Sequence, residues 1–151
     1  MRLHLVQHGL AVPEAEDPDR PLTEQGVADV TQVAQYAVGQ LGVGVNRIIH
    51  SGKTRARQTA AIWDRALHCG VVEADGLAPN DDPMIWAERV ATETSDLMLV
   101  GHLPHLGRLA SLLLAGVSES REVRFRPGAL VQLETTDAGW ELTLLLPPAR
   151  A

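Results

Sequence analysis

The 151 residues hold a single cysteine, Cys69, so no internal disulfide can form and a reducing compartment is favoured. Cys69 itself reads as a small buried filler. Long apolar runs are also missing: the most hydrophobic stretch, Leu109 to Val117, is far shorter than the about 20 residues a membrane-spanning helix needs. The N-terminus has one arginine and an apolar run broken at once by His4 and Gln7, which is not the pattern of a secretory leader. Together these features predict a cytoplasmic protein. Cations are outnumbered, with 13 Lys and Arg against 19 Asp and Glu and a net charge of −6. That balance excludes a general nucleic-acid or anionic-membrane surface, which needs clustered basic residues to displace counterions. Any phosphate must be held locally. No glycine-rich loop with a following Lys-Ser/Thr pair is present, and the lone Gly-x-Gly at Gly42 and Gly44 reads as a turn rather than a nucleotide cradle.

What is present is a composition of 45% hydrophobic and 21% charged residues without low-complexity tracts, which predicts one globular domain over residues 1–151. Leu3 to Gly9 is an apolar strand running straight into a histidine and a glycine, so an imidazole is held where the backbone turns. A loop rich in Pro, Asp and Glu follows, ending at Arg20. Thr23 then suits an N-cap, and Val27, Val30, Val33, Ala34, Ala37, Val38 and Leu41 mark one face of a helix that Gly42 and Gly44 end.

Arg47 to His50 reads as a second strand, and Ser51 to Thr59 leads into a helix carrying Ala60, Trp63, Ala66 and Leu67. Lys53, Arg55 and Arg57 crowd the start of that helix, where the macrodipole favours anions; either an anionic ligand or a solvated basic turn accounts for them. Val71 to Ala74 is a weaker strand. Asp82-Pro83 is a cap and first-turn pair for a helix through Ile85, Trp86, Val90 and Ala91. Leu97 to Val100 is a buried strand that again runs into a histidine, at Gly101-His102-Leu103-Pro104, with a helix through Leu106, Leu109, Ala110, Leu112 and Leu113 after it. Ala129 to Thr135 and Trp140 to Leu146 form a closing hairpin around the turn 136–139.

This order predicts an α/β fold with a mostly parallel central sheet, helices on both faces and a closing antiparallel hairpin. Right-handed crossovers bring His8, Ser51 to Arg55 and His102 to one rim. Two histidines and a basic helix start at one crevice suit phosphoryl transfer, with one imidazole as nucleophile and the other groups as clamps on the phosphoryl oxygens.

Gln7-His8-Gly9, Arg20-Pro21-Leu22-Thr23 with Gly26, Ser51 through Arg55-Ala56-Arg57-Gln58-Thr59, and Gly101-His102-Leu103-Pro104 resemble, in order, the motifs of the histidine phosphatase superfamily. Within this phosphoglycerate mutase-like group, the chain is similar to the small SixA-type phosphohistidine phosphatases. The resemblance implies that His8 becomes phosphohistidine, that Arg55 and His102 hold the phosphoryl oxygens, that Arg20 is an accessory clamp, and that Gln7, Gly9 and Ser51 line the substrate. It implies no metal and no organic cofactor. The substrate would be a phosphohistidine-bearing protein or a small phosphoester. The short loops favour the former, and of the acidic residues Asp81 is the one that could serve as acid, Asp82 being the cap.

The chain departs from the family at Gln7, where arginine normally precedes the nucleophile; an amide donates without charge or a two-pronged fork. Taken singly, His8 also fits a core histidine, Arg55 a solvent cation and His102 a helix-start residue. A metal site of His8, His102 and His105, or a phosphate-binding module with little turnover, are the rival readings. His4, His50 and His68 have no evident partners in the sequence.

Overall fold

Strand β1 (Arg2–Gln7) is buried from Leu3 onward because it lies inside a sheet, with β4 (Leu97–Gly101) parallel on one side and β5 (Leu130–Thr136) antiparallel on the other. The structure, a computed structural model, describes residues 1–149. Its six strands also include β2 (Arg47–His50), β3 (Val71–Glu73) and β6 (Gly139–Leu146), in the order β3-β2-β4-β1-β5-β6. The first four strands in that order run parallel, and the hairpin β5–β6 closes the sheet antiparallel, as the sequence predicts.

Strand periodicity divides the apolar side chains between two faces. Val6, Ile48, Met98 and Val100 meet α1 (Glu24–Gly39) and α2 (Thr54–Leu67), where Val30, Val33, Ala34, Ala60 and Trp63 pack. Leu3, Leu5, Ile49, Leu97 and Leu99 meet α3 (Pro83–Ala91) and α4 (His105–Ala115) through Trp86, Val90, Leu106 and Leu109. Among the described residues no helix is long and apolar enough to cross a membrane.

The predicted caps are in place. Thr23 Oγ1 accepts from the Gly26 amide at 2.9 Å, and the Asp82 carboxylate accepts from the Met84 amide at 2.9 Å, which makes Asp82 structural. Two predicted members of the α1 core stripe are displaced: Val27 is 40% exposed and Leu41 is 44% exposed. The buried stripe runs through Gly26, Val30, Val33, Ala34 and Ala37, one residue off Val27, and the helix stops at Gly39, before Leu41 and before the glycines at 42 and 44. Cys69 is half-buried rather than buried filler, its amide held by Asp64 just beyond the left-handed cap of α2 at His68.

Candidate active site

The C-terminal ends of the three adjacent parallel strands β2, β4 and β1 carry Ser51, His102 and His8. The crossovers reverse direction between β4 and β1, and such a switch opens a crevice beyond the strand ends. His8 and His102 face one another across it, ring centroids 5.1 Å apart and planes tilted by 50°.

His8 is oriented by its own turn. Its Nδ1 lies 2.7 Å from the Gly9 carbonyl oxygen, and a carbonyl can only accept, so Nδ1 carries the proton and Nε2 the lone pair. The Gly9 amide donates to Thr59 Oγ1 at 3.0 Å, and that hydroxyl donates to the Arg55 carbonyl at 2.8 Å. The turn at His8 is thereby tied to the helix bearing Arg55. Glycine is required here by contact: a Cβ on Gly9 would sit 2.8 Å from Val30 Cγ2, and one on Gly26 would sit 2.2 Å from the Leu10 carbonyl oxygen. Both glycines let α1 press against the turn.

His102 Nε2 and Ser51 Oγ are 2.6 Å apart, while His102 Nδ1 is buried without a partner. Arg55 is half-buried, its Nε has no hydrogen-bond partner, and among the described residues it forms no ion pair within 4.0 Å. Arg20 takes the left-handed backbone at φ +48 and donates through Nε to the Val12 carbonyl at 3.1 Å. Its charge reaches both His8 and Arg55. Burial pushes the His8 pKa down to about 4; the Gly9 contact opposes this, and Arg55 and Arg20 add to it. Burial likewise holds His102 down to about 3, with His8 and Arg55 the next contributors. Both imidazoles are therefore neutral at pH 7, and the fixed positive charge of the crevice is that of the guanidiniums. Two neutral imidazoles, of which His102 is 1% exposed, beside an arginine that forms no ion pair within 4.0 Å among the described residues can take up a phosphoryl dianion and attack it.

The remaining sequence candidates fall as follows. Gln7 is 7% exposed and its Oε1 is buried without a partner. Lys53 and Arg57 are exposed, unlike Arg55. Asp81 accepts from the Ala78 amide at 2.9 Å and its charge acts on His105, not on His8 or His102. His105 is fully buried with both ring nitrogens unpartnered, and among the described residues no group of three or more His, Cys, Asp or Glu side chains is arranged to hold a metal.

Residues 3–79 match the family model of the histidine phosphatase superfamily, branch 1, a span that includes His8, Arg20, Ser51 and Arg55. The chain belongs to the histidine phosphatase superfamily. The chain is similar to an uncharacterized protein of Picosynechococcus sp., 40% identical over 126 residues, 77% of this chain and 74% of that one. Among solved histidine phosphatases, the fold matches SixA bound to tungstate at a TM-score of 0.84 and 23% identity, covering 98% of this chain and 97% of that chain. A protein from Nakamurella multipartitia designated SixA matches at a TM-score of 0.75 and 29% identity, over 99% of this chain and 96% of that one. The designated SixA of Agrobacterium tumefaciens gives 0.78 and 27%, over 98% of each chain. The α/β fold and the SixA-like resemblance are thus both found.

Sequence reasoning placed Thr59 in a motif without seeing that it links Gly9 to Arg55. It found no partner for His4, whose ring nitrogens lie 3.4 Å from the Leu97 carbonyl and 3.1 Å from Gln132 Oε1, both acceptors, so that the neutral ring donates to one of them. His50 also gains a partner, its Nδ1 accepting from the Gly52 amide at 3.0 Å.

Proposed function

We propose that this histidine phosphatase dephosphorylates phosphohistidine on a partner protein through a phosphohistidine intermediate on His8. His8 Nε2 attacks phosphorus, the N–P bond to His8 forms, and the P–N bond to the substrate imidazole breaks. Water then displaces His8 and inorganic phosphate leaves. Arg55, Arg20 and His102 stabilise the oxygens in both steps, while Gln7, Gly9 and Ser51 line the phosphoryl position. The reading is carried by the meeting of His8 and His102, rings 5.1 Å apart, beside an Arg55 that forms no ion pair within 4.0 Å among the described residues.

The substrate class is supported by the short connections after β2 and β4, residues 51–53 and 102–104, which supply no lid to enclose a small metabolite. It is supported also by the engagement of Asp81 in its own turn, since a protonated imidazole leaves phosphorus without the strong acid that an alkoxide needs. Positive charge comes from side chains, so catalysis is expected to be independent of metal. Hydrolysis of a phosphohistidine protein faster than phosphoserine or a sugar phosphate, undiminished by chelator, is the expected result. An acid-labile phosphoenzyme absent from His8→Ala should accompany it. Full activity in His8→Ala overturns the nucleophile. Faster phosphoester cleavage overturns the substrate class, and binding without turnover favours a phosphate-binding module.

A further inference from the structure

His50 ends β2 immediately before Ser51 and is 5% exposed. Its Nδ1 lies 3.0 Å from the Gly52 amide nitrogen. A backbone N–H only donates, so Nδ1 holds the lone pair and Nε2 the proton, the tautomer opposite to that of His8. Gly52 stands at φ +89, and a Cβ there would meet the Glu73 carboxyl carbon at 2.6 Å. Parallel pairing of β2 with β3 sets Glu73 beside His50 in register. The turn over residues 51–53 is thus hydrogen-bonded to an imidazole and packed against a carboxylate.

This turn leads directly to the crevice. It presents Ser51 Oγ at 2.6 Å from His102 Nε2, the Lys53 amide donates to the same oxygen at 3.3 Å, and Arg55 follows in the first turn of α2. Lys53 caps that helix without any side-chain hydrogen bond, so nothing on its own side chain holds the helix start.

We propose that His50, through the hydrogen bond its Nδ1 accepts from Gly52, is a positioning residue that fixes the turn presenting Ser51 and Arg55 to the bound phosphoryl group; the role rests on the phosphatase reading above. The acceptor exists only while the ring is neutral. Burial, the dominant influence, and Arg57 on α2 oppose its protonation, while Glu73 on β3 favours it. The brace therefore persists through neutral pH and is released on the acid side.

Two measurements on the full chain test this. Ring and amide nitrogen NMR, which needs no turnover, should show an unprotonated His50 Nδ1 at pH 7 and a Gly52 amide that titrates together with the His50 ring. A protonated Nδ1, or a Gly52 amide indifferent to the titration, overturns the brace. Tungstate affinity by calorimetry should fall about tenfold in His50→Leu, which removes one hydrogen bond to the turn. It should stay within about threefold of the parent in His50→Asn, whose Oδ1 replaces the Nδ1 acceptor. Equal affinity in His50→Leu and the parent, or an Asn variant as weak as the Leu variant, overturns the positioning role. Should His50→Leu not fold, Gly52→Ala should show the same loss by driving a Cβ against Glu73, and unchanged affinity there overturns the role. A parent that binds no tungstate overturns the phosphatase reading and with it the role, while the NMR result decides the brace separately.

Discussion

At the scale of the residue, the orientation of His8 is set by the backbone and hydroxyl groups around it. Gly9 uses both of its backbone groups, its carbonyl to hold His8 Nδ1–H and its amide to hold Thr59. Thr59→Val should leave that buried amide unpaired and cost about 1–3 kcal/mol in stability. It should also lower kcat by loosening the His8 turn relative to Arg55. Thr59→Ser, which keeps the hydroxyl, should restore turnover; a valine variant with parental kcat would show that the strand end alone orients His8. Gln7 is the residue at which the chain departs from the motif it resembles, an amide standing where that motif has arginine. A charge-assisted hydrogen bond is worth roughly 1.5–3 kcal/mol against about 1 for a neutral one. Gln7→Arg should therefore raise kcat/KM on a phosphorylated substrate by about tenfold. A variant no faster than the parent would show that the site is built around the amide, whose Oε1 is already buried without a partner.

At the scale of the element, what the sequence made legible was whatever depends on local pattern. Strand β2 at Arg47–His50, the Thr23 and Asp82 caps and the hairpin around 136–139 all stand where periodicity and turn chemistry place them. The α1 stripe was misphased at Val27 because the helix face is set by Gly26 seated against Leu10, a contact that no hydrophobic period encodes. The pairing of Thr59 with Gly9 was illegible for a related reason, the two lying 50 residues apart in sequence. The shared rim of Ser51 and His102 was legible from the crossovers, and only their 2.6 Å contact was not. Gly26→Ala tests the seating of α1. Its Cβ would lie 2.2 Å from the Leu10 carbonyl oxygen, so the helix must shift away from the turn at His8. A loss of about 1–3 kcal/mol in urea denaturation, with reduced turnover, is expected for such overpacking. Unchanged stability would mean that α1 does not hold the turn.

At the scale of the whole molecule, an acidic protein keeps a local positive charge at Arg55 and Arg20, which form no ion pair within 4.0 Å among the described residues, and buries His8 and His102 neutral beside them. The consequence for pH follows from linkage. His8 and His102 have folded pKa values of about 4 and about 3 against 6.5 for the free side chain. As pH falls below 6.5 the unfolded chain takes up these protons first, so the unfolded state binds more protons and stability declines from about pH 6.5 toward pH 4. Below about pH 3 both states are charged and this contribution is gone. An oxyanion in the crevice reverses the balance for His102, because the anion favours the imidazolium that burial and Arg55 disfavour in the free protein. Tungstate binding near pH 6 should therefore be accompanied by proton uptake, read by calorimetry in buffers of different ionisation enthalpy. His102→Gln should abolish the uptake. Binding with no proton taken up by the parent would show that His102 stays neutral and that the arginines alone balance the anion. A kcat/KM held nearly constant down to about pH 5 would then follow from neutral His8.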